Sequence, residues 1–140
     1  MRAIIVTLAF LAGCTAATEP ASPAPHAAAM AITASCGGGV TGGSQGVTIT
    51  AEDHVVRWRQ PTPQAERTMT DLGEDAAFAA DIRRQLVEMD FANMQLNEPG
   101  NMTCALTAGD HTLAWAQGAA NAPSRLLAIH QRVFEATAGN

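Results

Sequence analysis

The sequence predicts an α+β domain in which an antiparallel sheet of about five strands, ordered strand, hairpin, helix, hairpin, helix, carries two helices packed on one face. Three observations lead there. An internal repeat aligns Ile49 to Gln60 on Leu106 to Gln117 without gaps, with Thr, Ala, Asp, His, Trp and Gln recurring in both copies. Each copy is followed by apolar residues at helical spacing. Ahead of both, Met30, Ile32, Ala34 and Cys36 share one parity, the alternation of a half-buried strand. A sheet covered on one side is the simplest way to bury two helical stripes.

The first strand runs into the most glycine-rich stretch of the chain, Cys36 to Gly46. Gly37, Gly39 and Gly42 fit a dinucleotide fingerprint, and Gly42, Ser44 and Gly46 fit a nucleophile elbow, but both motifs require a helix directly afterwards. A β-type run follows instead, so the stretch reads as a loop. Glycine lets backbone approach a partner closely, and binding residues concentrate on loops held by a rigid sheet. Gly38, Gly39, Val40, Thr41 and Gly42 are therefore the candidate contact.

Each repeat copy reads as a β-hairpin turning at the residue pair before the histidine. Alternation places Ile49, Val56 and Trp58 on one face of the first, and Leu106, Leu113 and Trp115 on the matching face of the second. These six are the expected core. After the first hairpin, a connection from Pro61 to Gly73 leads to Glu74 and Asp75, an acidic pair that suits a helix N-terminus. Phe78, Ile82, Leu86 and Met89 then form one helical face, which should end before Pro99-Gly100. Pro123 can open the second helix. Leu126, Ile129 and Val133 form its stripe, flanked by Leu127, His130 and Phe134, and Gly139 stops it.

Arg2 followed by the apolar run Ala3 to Leu11 and small residues has the order of a secretory signal, too short to span a bilayer, which needs about 20 apolar residues. Leu11-Ala12-Gly13-Cys14 resembles the lipobox of bacterial lipoproteins. The resemblance implies cleavage before Cys14 and acylation of its thiol, with palmitate-type chains as the membrane anchor. Thr15 after the cysteine implies the periplasmic face of the outer membrane. Residues 14–29, rich in proline and alanine, read as a disordered tether, and 30–138 as a single domain. With Cys14 acylated, Cys36 and Cys104 remain of three cysteines, and in an oxidising compartment they most simply form a disulfide.

All eight basic residues are arginine, against thirteen acidic ones, giving a net charge of −5. A nucleic-acid partner is excluded for want of a basic footprint. The repeated pairs Asp53-His54 and Asp110-His111 are the one constellation with site chemistry. If the hairpins were neighbours these four could hold a transition metal or serve a hydrolytic site, but aspartate at a turn needs no ligand to explain it. His130 reads as a packed residue. No nucleophile has a base at motif spacing, so the expectation is an envelope protein that works by binding another protein, with no catalysis, metal or cofactor.

The strand entering Gly38-Gly39-Val40-Thr41-Gly42, the helix closing on Asp90-Phe91, the strand with His111-Thr112-Leu113, and the last helix entered through Pro123 and followed by Leu126 and Leu127 resemble emfourin-type inhibitors of thermolysin-like metalloproteases. Val40 stands where that family carries an aromatic residue. The resemblance implies the same fold and, as an alternative function, inhibition of such a protease.

Overall fold

A computed structural model of the chain describes residues 30–137. The signal at 1–13, Cys14, the tether to residue 29 and the stop at Gly139 lie outside the described residues. The elements are β1 (Ile32–Gly38), β2 (Gly43–Ile49), β3 (His54–Gln60), β4 (Thr68–Glu74), α1 (Ala76–Glu88), a 3₁₀ turn (Phe91–Asn93), β5 (Asn97–Glu98), β6 (Met102–Ala108), β7 (His111–Ala116) and α2 (Ser124–Phe134).

The fold is α+β, as expected, but the sheet has seven strands in the order β4-β3-β2-β1-β6-β7-β5 and is mixed, because β5 runs parallel to β7. The two extra strands are the edges. β4 is almost wholly exposed along its length, so no alternation marks it, and it occupies ground that the sequence assigns to a connection. β5 is two residues long.

One sheet face is covered by both helices. Ile32 and Ala34 on β1, Val47 and Ile49 on β2, Val55 on β3, Leu106 on β6, and Leu113 and Trp115 on β7 meet Ala79, Ile82 and Leu86 of α1 and Leu126, Ile129 and Val133 of α2. Asp75 caps α1, its carboxylate accepting the Phe78 N–H at 2.9 Å, which satisfies one of the four donors a helix start leaves free. Phe78 and Met89 sit at the margin of the core, partly buried. Glu88 accepts from Arg84 and from Arg125, and Asp81 from Arg84 and from Arg132, so two carboxylates of α1 tie it to α2.

The two hairpins exist, but they are not equivalent. In the second, Ala108 pairs with His111 and Leu106 with Leu113 across the two-residue turn Gly109-Asp110; Gly109 takes φ 57 at the first central position, as a type II′ turn requires. Glu52 stands at the aligned position of the first hairpin, where a side chain disfavours that conformation. The chain there makes a longer turn instead, closed by Asp53 N–H to Thr50 O at 3.2 Å and by Thr50 N–H to His54 O at 2.9 Å, with Asp53 left-handed at φ 67. Ile49 consequently pairs with Val55, and a register change of one residue moves every later side chain to the other face. Val55 is thus the core residue of β3. Val56 and Trp58, expected on the face of Ile49, lie on the opposite one; Trp58 is buried there all the same, covering Gly46 and lying under the Arg67 guanidinium, 4.1 Å from its ring centroid.

Arg83 secures the first turn. It is 7 % exposed, and its guanidinium donates to Met30 O at 3.2 Å, Thr50 O at 2.9 Å and the Asp53 carboxylate at 2.5 Å.

Candidate functional site

A concavity lies where the covered sheet face runs on beyond the last turn of α2. Registers place Arg59, Gln45, Cys36, Cys104 and Trp115 in one row across five strands. Gly43, Gly38 and Met102 form the next row outward. Arg59, Gln45 and Cys36 of the first row and all three residues of the second, with Phe134 at the helix end and Val40 and Thr41 above, line a cavity of about 470 Å³. Among the described residues Arg59 has no ion-pair partner, so its guanidinium is available to an acidic group entering the cavity.

Cys36 and Cys104 form the disulfide, with Cα atoms 4.0 Å apart. They sit directly opposite each other on β1 and β6, so the bridge staples the central strand to the one that arrives much later in sequence. Cys36 borders the cavity while Cys104 is buried. His130, 8 % exposed, lies against the same bridge. Its Nε2–H donates to Ser35 O at 3.1 Å and is 3.8 Å from Cys36 Sγ, while Trp115 meets the ring edge-on and Phe134 stacks on it. Burial holds its pKa below the ordinary histidine value, opposed only by the bond to Ser35.

The glycine loop is a tight hairpin, Gly42 N–H bonding Gly39 O at 3.2 Å and Gly39 N–H bonding Asn101 O at 2.7 Å. Its glycines serve the chain itself. Gly38 has φ 117, and a Cβ there would lie 2.3 Å from Asn101 O; a Cβ on Gly43 would lie 2.5 Å from Pro61 O. Close approach of β6 and of the β3 end thus accounts for glycine at both positions. What the loop offers outward is Val40, fully exposed at its tip. Ser44 belongs to β2, with no helix after it.

The Asp-His pairs do not come together. His54 and His111 lie on strands four places apart, roughly 19 Å at about 4.8 Å per strand. His54 Nδ1 pairs with Asp71 at 3.0 Å, and the Asp71 carboxyl is held below its ordinary value first by the Gly73 N–H, then by His54. His111 donates from Nε2 to Met94 O at 3.0 Å and meets Phe91 edge-on. Asp53 belongs to Arg83, and Asp110 is an exposed turn residue.

Arg59, Met102 and Gln117, which complete the cavity, carry no motif that would single them out; their place becomes visible only through strand register. No protein-family model matches the chain, and no curated protein matches it.

Proposed function

We propose that this chain is a lipid-anchored envelope protein whose disulfide-stapled domain binds another protein without catalysis, through the β1–β2 hairpin tip. The observation that carries the reading is Val40. A fully exposed apolar side chain stands on a turn locked by the disulfide strand and by Asn101, beside a cavity with a free guanidinium, which joins an anchor to a charged contact at little ordering cost. Anchoring rests on Leu11-Ala12-Gly13-Cys14 and is tested by Cys14→Ser, which should release the protein from membranes and stop processing before residue 14. Binding is tested with envelope extract and the soluble domain: a partner retained by the wild type and lost with Val40→Asp supports the reading, and one retained equally by both refutes the tip as contact.

The emfourin-like alternative uses the same hairpin, because a protruding apolar residue on a rigid turn suits the cleft of a metalloprotease. Titrating a thermolysin-like protease with the domain tests it; activity unchanged at excess domain removes this version while leaving the broader reading standing. Among the described residues no helix is long and apolar enough to cross a membrane, so in this reading the acyl chains on Cys14 supply the attachment.

A further inference from the structure

We infer that Cys36, Cys104 and His130 form a redox-gated site for a soft divalent cation such as Zn²⁺, closed while the disulfide stands and opened by its reduction. The inference does not depend on what the hairpin tip contacts.

Two thiolates and an imidazole with room for a fourth ligand are a recurring zinc donor set. Here one ligand atom from each of the three residues lies within 4.8 Å of the others. A tetrahedral ion with S and N ligands at about 2.3 and 2.05 Å spaces sulfur from nitrogen by about 3.6 Å and sulfur from sulfur by about 3.8 Å. His130 Nε2 is already 3.8 Å from Cys36 Sγ. Once the S–S bond is cut, the sulfurs can separate to that spacing by side-chain rotation at Cys36, on its cavity-facing side.

The imidazole is held ready for this role. Trp115 and Phe134 pack against the ring on two sides, which fixes its direction. Binding requires the Nε2 hydrogen to move to Nδ1 and the bond to Ser35 O to be given up, so the metal replaces an existing contact. The cavity supplies access to Cys36, the side from which a water could complete the coordination.

Opening is a thiol exchange with a dithiol reductant. One of its thiolates attacks Cys36 Sγ, forming a mixed disulfide and expelling Cys104 as thiolate. Its second thiolate attacks the reductant's own sulfur, frees Cys36 and leaves as a cyclic disulfide. The two electrons pass from the dithiol to the cysteines, and the two protons that these would otherwise take up are released when the cation binds.

The test uses the full chain with Cys14→Ser, which removes the third thiol, reduced with a phosphine and titrated with Co²⁺. The expected result is one equivalent of cobalt, with a thiolate-to-metal charge-transfer band in the near ultraviolet, tetrahedral d–d bands in the red, and displacement by Zn²⁺. The oxidised protein should show none of these. His130→Gln should weaken cobalt binding by more than the ~100-fold that loss of an outer-shell partner can cost, and should change the d–d bands. Should His130→Gln misfold, reduced Cys36→Ser serves as the second variant: with one of the two thiolates gone its charge-transfer band should weaken and its cobalt affinity fall, and both unchanged overturns the inference. Absence of bands in the reduced chain, folded or not, overturns the inference, as do bands in the oxidised protein or bands and affinity unchanged in a folded His130→Gln.

Discussion

Replacing Arg83 by Met keeps most of the aliphatic stem packed in the core and removes the guanidinium. Three acceptors then lose their donor: the carbonyls of Met30 and Thr50 and the Asp53 carboxylate. A carbonyl left without its bond costs about 1 kcal/mol, and the charge-assisted bond to a carboxylate about 1.5–3 kcal/mol. The Asp53 side chain retains 26 % of its exposure, so water recovers part of that last contribution. The expected loss is about 3 kcal/mol, or on the order of 15 °C in Tm for a domain of this size. Part of the effect acts through the turn, where Asp53 is held left-handed at a cost the Arg83 contact offsets. Urea unfolding of the oxidised protein, followed by tryptophan fluorescence, measures the loss. Asp53→Asn should cost at least about 1 kcal/mol more in the wild type than in Arg83→Met, since neighbours in one network are not additive. A loss under about 1 kcal/mol for Arg83→Met, or equal effects of Asp53→Asn in both backgrounds, refutes the clamp.

Three further outcomes follow from the same geometry. His130 has a folded pKa below its ordinary value of 6.5, so the unfolded chain binds its proton first; stability is full above about pH 6.5, falls as pH drops towards the folded pKa, and this fall should vanish in His130→Gln when unfolding is measured across that range. Gly38→Ala meets Asn101 O at 2.3 Å with φ 117, whereas Gly73→Ala at φ 102 meets nothing within 4 Å; the first should cost more than about 2 kcal/mol and the second about 1 kcal/mol, and equal costs in chemical denaturation would discount the close approach. Replacing both bridge cysteines by alanine opens a loop closed across a separation of 68 residues and should cost about 4 kcal/mol on the chain-entropy account, a figure contradicted by a denaturation midpoint that hardly moves.

The elements readable from sequence were those with a buried face. Ile32 and Ala34, Ile82 and Leu86 of the first helix, Leu126, Ile129 and Val133 of the second, and Leu106, Leu113 and Trp115 stand where their periodicity puts them, and the cysteine pairing follows from parity and number. The misses share another cause. Alternation through a two-residue turn puts Val56 and Trp58 on the face of Ile49, and the turn differs at one position: Glu52 stands where the second hairpin has Gly109, so the turn lengthens and the register slips, leaving Trp58 buried on the opposite face. β4 leaves no pattern because an edge strand with little buried surface is under no alternation constraint. Arg83 falls at core spacing on α1, but charge argues against burial until its three acceptors are in view. The cavity row escaped for a related reason, since Arg59, Gln45 and Cys36 become neighbours only when three strands are aligned.

The seam between β1 and β6 also bears on how the chain folds in time. β1 to β4 form a meander of short-range contacts followed by its own helix, and β6 with β7 forms a local hairpin followed by another, so each half can organise from neighbours in sequence. Joining them along β1 and β6 is the step of long contact order, and such closures are slow because the loop entropy is lost before the pairing is gained. A chain that enters refolding with Cys36 and Cys104 already linked has made that closure in advance. Its two halves meet at a fixed register, so oxidation should act chiefly on the rate of folding, while a chain refolding with free thiols must find the seam by search, with the core edges of β1 and β6 open to other chains in the meantime.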